Sequence, residues 1–210
     1  MLPLHFDILT REQTEIFNGL RVFKKQAVLA GGTALALQIC HRLSFDFDLF
    51  FRKDLGRKEV LKLKKSVLLK KVGLETKEQI NIITANNILV NLVAYPFGPL
   101  FKTEKTFSVP IFSTKDIALD KAYTIGRRAT WRDYVDLFFL LRCKYVTLPE
   151  IVKLAGKKFG LFFNGRLFLE QLSYFKDIEP TKISFVNERF SNREIEKFLI
   201  NEVKQYSRML

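Results

Sequence analysis

The sequence lacks long apolar runs and is poor in cysteine. No apolar run approaches the ~18 residues of a membrane-spanning helix, so no segment is expected to cross a membrane. The two cysteines, Cys40 and Cys143, show neither metal-ligand spacing nor a disulfide framework, which is typical of a reducing, cytoplasmic setting. The stretch MLPLHFDILTREQ lacks the basic start of a signal peptide. Repeats and low-complexity segments are also absent, and one compact unit is expected.

Acidic side chains are in short supply relative to basic ones. The chain has 22 Asp and Glu against 35 Lys and Arg, a net charge of +13. An excess of this size favours polyanionic partners such as RNA, DNA, nucleotides or anionic lipid. A general enrichment in lysine that affects every surface would give the same number. Charge alone therefore leaves both interpretations open.

Hydrophobic periodicity and helix-capping patterns predict an α+β protein. A small mixed β-sheet domain with flanking helices is expected over residues 1–112, followed by a helical C-terminal part over residues 113–210. The predicted strands are 26–30, 45–51, 74–84 and 88–95, with a turn at 85–87 and a short edge strand at 107–112. The predicted helices are 11–24, 33–41, 57–72, 116–127, 131–144, 147–159, 164–175 and 191–208.

Asp46 and Asp48 stand one residue apart among large apolar side chains, in FDFDLFF. On a strand, alternate side chains point the same way, so both carboxylates are expected on one face, with Phe45, Phe47 and Leu49 on the other. Two neighbouring carboxylates repel each other unless a cation offsets their charge, and Mg²⁺ suits hard oxygen ligands. A metal site is one interpretation, and a solvated strand face with two incidental acids is the other.

A glycine pair and a hydroxyl residue, Gly31, Gly32 and Thr33, follow the first predicted strand. The glycines let the backbone approach a phosphate closely, and Thr33 stands at a predicted helix N-terminus, where unsatisfied N–H groups favour an anion. Taken alone, this pattern is more typical of a tight turn with a helix cap. Followed by an acid pair on the next strand, it indicates a nucleoside triphosphate site.

Together these segments, GGTALAL and then HRLSFDFDLFF, resemble the nucleotidyltransferase domain of the polymerase-β-like superfamily, and more closely the AbiEii/AbiGii-type nucleotidyltransferase toxins. That family shows Gly-Gly-Thr-x-Leu and then Arg-x-Ser-x-Asp-x-Asp-Leu. The matching positions are Gly31, Gly32, Thr33, Leu35, Arg42, Ser44, Asp46, Asp48 and Leu49.

A second match to the family lies in DIALDKAYTIGRRATWRDYVDLFFLL. The family has a lysine on one helix, an arginine about two turns later, and Arg-Asp-x-x-Asp-Leu opening the next helix. The matching positions are Lys121, Arg127 or Arg128, Arg132, Asp133, Asp136 and Leu137. The resemblance covers roughly residues 28–141.

The resemblance implies an enzyme that uses Mg²⁺ or Mn²⁺ and transfers a nucleoside monophosphate from an NTP. The catalytic residues that it implies are Asp46, Asp48, Lys121 and Asp136, of which Asp46 and Asp48 are the metal ligands. The nucleotide-binding residues that it implies are Gly31, Gly32, Thr33, Arg42, Ser44 and Arg128. Lys121 would reach the phosphates as a point charge, its alternative being a surface lysine. The alternative for Arg128 and Arg132 is a helix-end charge paired with Asp133 or Asp136.

The sequence departs from the superfamily in ILVNLVAYPF, the strand that usually supplies a third carboxylate. Apart from the Tyr95 hydroxyl, the only polar side chain there is that of Asn91. An amide can offer an oxygen to a metal, but it cannot act as a base. A catalytically impaired nucleic-acid-binding protein is therefore one alternative to an active enzyme.

The leading hypothesis for the acceptor is RNA, namely the 3′ end of tRNA. The protein would then be a toxin of a toxin–antitoxin or abortive-infection system, with an antitoxin protein as an expected partner. A small molecule or a protein is the alternative acceptor, because the same site chemistry serves many substrates. Lysines of the predicted helix 57–72 could contact RNA phosphates, or could equally form a solvated face.

Overall fold

The computed structural model describes residues 3–128 and 130–209, so the first two residues of the stretch MLPLHFDILTREQ lie outside the described residues. The chain divides into two compact units, Met1–Ser113 and Thr114–Leu210. The first contains a mixed sheet and the second is helical. This arrangement confirms the predicted α+β fold class.

The first unit is built on a five-stranded sheet in the order β1-β2-β5-β4-β3 within the described residues. The strands are β1 (Ala27–Ala30), β2 (Phe47–Phe51), β3 (Leu69–Glu75), β4 (Gln79–Thr84) and β5 (Leu89–Ala94). β2 and β5 pair in parallel, and the other neighbours are antiparallel. Alternate residues of β2 (Phe47, Leu49 and Phe51) are fully buried, which leaves Asp48 on the opposite face.

The helices of the first unit are α1 (Arg11–Gly19), α2 (Gly31–Ile39) and α3 (Arg57–Lys64). Those of the second unit are α4 (Thr114–Arg128), α5 (Trp131–Arg142), α6 (Leu148–Phe159), α7 (Gly165–Leu172) and α8 (Asn192–Ser207). The capping boxes predicted from sequence begin α1 at Thr10, α6 at Thr147 and α8 at Ser191. In each case the side chain of the capping residue satisfies a backbone N–H that the helix leaves unpaired.

The helix predicted over residues 57–72 is wrong in its second half. α3 ends at Lys64, and residues from Leu69 onward form the edge strand β3, whose backbone pairs with β4. Most side chains of β3 are exposed, and Leu68 just before it is 80% exposed. A strand with two exposed faces shows no alternation of apolar and polar residues, so the sequence did not predict it. Lysines such as those of β3 are common on edge strands, where they discourage pairing with other chains. β4 accordingly begins at Gln79, later than predicted.

The short edge strand predicted over residues 107–112 is also wrong. This segment forms only isolated bridges through Ile111, to Leu29 and to Glu104. Pro110 accepts a hydrogen bond from the Leu29 backbone N–H, but as a proline it has no N–H with which to continue a ladder.

Two further predictions from the sequence concern membrane-spanning helices and the two cysteines. Among the residues that the structure describes, no helix combines the length and apolarity needed to cross a bilayer. Neither Cys40 nor Cys143 takes part in a disulfide.

Candidate active site

The glycine turn and the acid pair meet directly in the first unit. Gly31 opens α2 with a φ of +69°, a conformation that L side chains rarely adopt. A Cβ added at Gly31 would overlap Asp48 Oδ2 and would lie 3.1 Å from Asp48 Cγ. Two independent features therefore require glycine at this position: the backbone conformation and the carboxylate beside it. The two motifs form one local structure.

The start of α2 is open to an anion. The helix begins at Gly31, two residues earlier than predicted, so Thr33 is its third residue. Ala30 occupies the N-cap position and provides no side-chain cap, which leaves the first N–H groups of the helix available to a ligand. The buried Thr33 hydroxyl donates a hydrogen bond to the backbone carbonyl of Asp46. This bond ties the helix start to the segment that carries the acids.

A cation and a hydroxyl converge on the second glycine. A Cβ added at Gly32 would lie 2.6 Å from Arg42 Nη2 and 3.0 Å from Ser44 Oγ. The Arg42 side chain is buried, and its Nη1 donates to the Leu43 carbonyl at 3.0 Å. The helix start, the guanidinium and the hydroxyl all favour negative charge at this point.

Asn91 holds the second acid of the pair. Asp48 stands in register with Ala30 of β1 and with Asn91 of β5. Asn91 Nδ2 donates to Asp48 Oδ1 at 2.8 Å, while Asn91 Oδ1 is buried and has no hydrogen-bond partner among the described residues. The amide therefore orients the Asp48 carboxylate and leaves an unsatisfied oxygen close to it.

The oxygens at this site suit a hard divalent cation. Over residues 3–128 and 130–209, no group of three or more His, Cys, Asp or Glu side chains is placed to hold a metal ion. The candidate ligands are the carboxylates of Asp46 and Asp48, with the unsatisfied oxygen of Asn91 close to Asp48. Mg²⁺ is commonly held by one or two carboxylates together with waters and substrate phosphates, so the donor set fits. The metal site stays a prediction.

Phe45 is one of two residues of this region that sequence patterning placed wrongly. It was expected on the buried face with Phe47 and Leu49, which are both 0% exposed, but Phe45 itself is 52% exposed. β2 begins only at Phe47, so the strand alternation extends back neither to Phe45 nor to Asp46. The assignment of Asp46 to the strand is therefore wrong, and a shared face for the two carboxylates stays a prediction. No sequence signal distinguishes an aromatic residue just before a strand from one inside it.

The second unit contains a buried cluster of one lysine and two acids. Lys121 Nζ lies 2.7 Å from Asp133 Oδ1 and 2.7 Å from Asp136 Oδ2. Lys121 is 8% exposed and Asp136 is 0% exposed. The interpretation of Lys121 as a surface lysine is therefore wrong. The catalytic roles of Lys121 and Asp136 stay predictions, as does nucleotide binding by Arg128, whose side chain is exposed at the end of α4.

Asp133 has two structural roles in this cluster. Its Oδ2 accepts hydrogen bonds from the Thr130 backbone N–H at 2.9 Å and from the Thr130 hydroxyl at 2.8 Å, which caps α5, while its Oδ1 pairs with Lys121. Burial raises the pKa of Asp133, but the charge and hydrogen bond of Lys121 outweigh burial and hold the pKa below its ordinary value.

The second unit is expected to lose stability in acid as Asp133 takes up a proton. Because the pKa of Asp133 is lower in the folded chain than its ordinary value of about 3.9, its contribution is present above about pH 4. The contribution is lost as pH falls through the folded-state pKa. Thermal unfolding followed from neutral to acidic pH should show this loss, and Asp133→Asn should flatten the acid limb. An unchanged slope in the variant would contradict the assignment.

Comparison with known proteins places the chain in a family. The family model described as nucleotidyl transferase AbiEii toxin, Type IV TA system, matches residues 71–207. An uncharacterised protein of Aquifex aeolicus (strain VF5) is 31% identical over 187 residues, which span 85% of this chain and 86% of that protein. The region matched by the family model contains Lys121, Asp133 and Asp136, and the relative extends the similarity over most of the chain.

Two solved structures share the fold at low sequence identity. A proposed nucleotidyltransferase of H. pylori superposes with a TM-score of 0.60 at 16% identity, over 96% of this chain and 97% of that chain. MenT4, a nucleotidyltransferase toxin of Mycobacterium tuberculosis, superposes with a TM-score of 0.56 at 15% identity, over 92% and 84%. At these identities the likeness shows the fold, while the family model shows the activity: this chain is a nucleotidyltransferase that belongs to the AbiEii toxin family.

Proposed function

We propose that the chain binds an NTP with Mg²⁺ or Mn²⁺ at the glycine turn and acid pair, and transfers its nucleoside monophosphate to RNA. The 3′ end of tRNA is the proposed acceptor, and the protein acts in the cytoplasm as a toxin controlled by an antitoxin protein. The observation that carries the proposal is the contact between Gly31 and Asp48, because it joins a phosphate-binding turn to a pair of metal-ligand carboxylates.

In this proposal, some residues of the first unit bind the phosphates and others bind the metal ion. The N–H groups at the start of α2, with Thr33 in its first turn, bind the triphosphate together with Arg42 and Ser44. Asp46 and Asp48 hold the cation, which when bound offsets the charge that develops on the leaving pyrophosphate. A bond forms between the acceptor hydroxyl oxygen and the α-phosphorus, and the bond from that phosphorus to the bridging oxygen breaks. Asn91 cannot take the hydroxyl proton, so water or another group accepts it.

Three residues of the second unit are proposed as further site residues. Lys121, Asp136 and Arg128 match positions of the family, and the family model covers all three. A lysine buried with two carboxylates supports this assignment, because strongly interacting buried charges are concentrated at functional sites. In this proposal Lys121 contacts phosphate, and Asp136 positions Lys121.

The choice of RNA as acceptor is supported by charge and by family. The net charge of +13 favours a polyanion, and the family is named as the toxin of a toxin–antitoxin system. The test is incubation of purified protein and Mg²⁺ with total tRNA and each NTP in turn, labelled at the α- or the γ-phosphorus. Label is expected to enter tRNA from the α-position only. Transfer of γ-label, or label in protein with none in tRNA, would overturn the proposal.

Substitution of Asn91 by aspartate tests whether a divalent cation binds beside Asp48. Asn91→Asp replaces the hydrogen bond to Asp48 with a contact between like charges, so stability without divalent cations should fall by about 1.5–3 kcal/mol. A bound cation would gain a third carboxylate, so the thermal shift on adding Mg²⁺ or Mn²⁺ should exceed that of the unmodified protein. Differential scanning fluorimetry with and without EDTA measures both effects.

A matched control for this substitution lies on the neighbouring strand. Asn81 stands opposite Asn91 in the sheet, but it accepts a hydrogen bond from Gln79 Nε2 at 2.8 Å, so Asn81→Asp keeps its acceptor. It should show no additional metal-dependent shift. An equal shift in both variants would argue against a cation at Asp48.

A further inference from the structure

An open cavity of about 280 Å³ lies beside the first acid of the pair. Three segments of the first unit form its walls: the start of α1, the segment before β2, and the turn between β4 and β5. The wall residues used below are Thr10, Glu12, Gln13, Phe45, Asp46, Asn86 and Asn87. None of them except Asp46 has a role in the proposed function.

The walls of the cavity are held in place by hydrogen bonds of their own. Gln13 completes the capping box with Thr10 and donates from Nε2 to the Ser44 carbonyl at 2.8 Å, which fixes α1 against the segment before β2. On the opposite side, Lys70 Nζ lies 2.6 Å from Asn87 Oδ1, and Asn87 has a φ of +58° in the turn. A cavity framed in this way keeps its shape before a ligand arrives.

Phe45 presents an aromatic ring to this cavity. The ring is 52% exposed, and the aromatic ring pairs of residues 3–128 and 130–209 do not include it. Large aromatic side chains usually pack against a partner, since they bury much apolar surface. An exposed ring at a polar cavity matches the surfaces on which proteins stack nucleobases.

Glu12 supplies a hydrogen-bond acceptor at the same cavity. Hydrogen bonds from its own backbone N–H and from the Thr10 side chain hold the pKa of Glu12 below its ordinary value, so the carboxylate stays ionised at neutral pH. An ionised carboxylate only accepts, and it pairs with the amino group of a base such as cytosine. Asn86 adds an amide that can both donate and accept.

The size and position of the cavity favour a single base. Sites that enclose drug-sized ligands occupy about 300–1,000 Å³, so this cavity has room for a base but not for a whole nucleoside triphosphate. With Asp46 in its wall, the cavity adjoins one residue of the acid pair.

The geometry points to a nucleobase subsite, in which a base stacks on Phe45 and an amino-bearing base (adenine, cytosine or guanine) is preferred over uracil through Glu12. This inference rests on the proposed function, because Asp46 and Asp48 must be the reaction centre for the subsite to serve it. The base belongs either to the incoming NTP or to the terminal nucleotide of the acceptor. Both nucleotides meet at the acid pair, and their base chemistry is the same.

Binding without turnover tests the subsite directly. In saturation-transfer NMR, the base protons of AMP, CMP and GMP should receive magnetisation from the unmodified protein, and those of UMP should receive less. Phe45→Ala should weaken this binding about ten-fold or more, Phe45→Trp should restore it, and Glu12→Gln should remove the preference over UMP. Leu61→Ala is the matched control, because Leu61 belongs to the same unit, is also 52% exposed and lies outside the cavity.

Steady-state kinetics distinguish the two sources of the base. If the subsite holds the NTP base, Phe45→Ala raises KM for the NTP and narrows the difference between NTPs, with KM for the acceptor unchanged. If it holds the acceptor base, KM for the acceptor rises instead. Equal binding and kinetics in Phe45→Ala and the unmodified enzyme would overturn the subsite and leave the proposed function standing. Loss of all label transfer in the unmodified protein would overturn the proposed function, and the NMR comparison would still decide whether the cavity binds a base.

Discussion

Replacement of Lys121 by methionine is expected to lower the free energy of unfolding by about 3–5 kcal/mol. The ammonium group lies 2.7 Å from a carboxylate oxygen of Asp133 and 2.7 Å from one of Asp136, and Asp136 is wholly buried. Methionine preserves most of the side-chain volume but leaves two neighbouring carboxylates without the positive charge between them. Urea denaturation followed by circular dichroism at neutral pH, without nucleotide or metal, measures the loss.

A surface ion pair of the same unit provides the control. Lys115 Nζ lies 3.2 Å from Glu150 Oε1, and the two side chains are 38% and 43% exposed. Lys115→Met should cost about 0–1 kcal/mol, because exposed ion pairs contribute little. If Lys121→Met costs no more than Lys115→Met, the buried cluster does not stabilise the fold as the distances imply.

Replacement of Gly31 by alanine is expected to reduce nucleotidyl transfer about 100-fold or more. The added Cβ would overlap the Asp48 carboxylate, so Asp48 must move away from the position that Asn91 holds by a hydrogen bond. A displacement of about 1 Å at a catalytic group commonly costs about 100-fold in rate. The positive φ of +69° adds a backbone penalty of about 1–2 kcal/mol, which reduces stability without abolishing folding. Initial rates of α-label transfer and the thermal midpoint measure the two effects separately.

Gly156→Ala is the matched control for this substitution. An added Cβ at Gly156, in α6, meets nothing within 4 Å. The variant should keep full activity and gain about 0.5–1 kcal/mol of stability, since alanine favours a helix. If Gly31→Ala retains full activity, the contact between the glycine turn and Asp48 has no part in the reaction.

The parts of the fold that the sequence predicts correctly are those with strong local signals. Capping boxes marked the starts of α1, α6 and α8, and the alternation in FDLFF placed Asp48 on the face opposite Phe47 and Leu49. β3 escaped prediction because its side chains are mostly exposed, and the strand exists only through backbone pairing with β4. Backbone pairing leaves no trace in the side-chain pattern of a strand whose two faces are both mostly exposed.

In the candidate site, local sequence motifs were predictable, whereas the contacts between them depend on how strands and helices pair. Adjacent motifs suggested that the glycine turn and acid pair belong together, but the overlap of Gly31 with Asp48 depends on the register of β1 with β2. The hydrogen bond from Asn91 to Asp48 requires β5 to lie beside β2. No local pattern indicates this pairing, and only the family resemblance, in which this strand supplies a third carboxylate, pointed to it. Asp133 and Asp136 stand three residues apart, a spacing that puts them on one helix face. Their joint pairing with Lys121 depends on how α5 packs against α4.

The most direct test of the account removes both carboxylates of the acid pair. The double variant Asp46→Asn with Asp48→Asn keeps the size of both side chains and removes their charge, and Asp54→Asn removes one exposed acid of the same unit as a control. The measurement is transfer of α-label from NTP to tRNA, with the thermal midpoint recorded for each protein. Transfer is expected at background level in the double variant and at the full rate in the control, with both proteins folded. Undiminished transfer by the folded double variant would contradict the account.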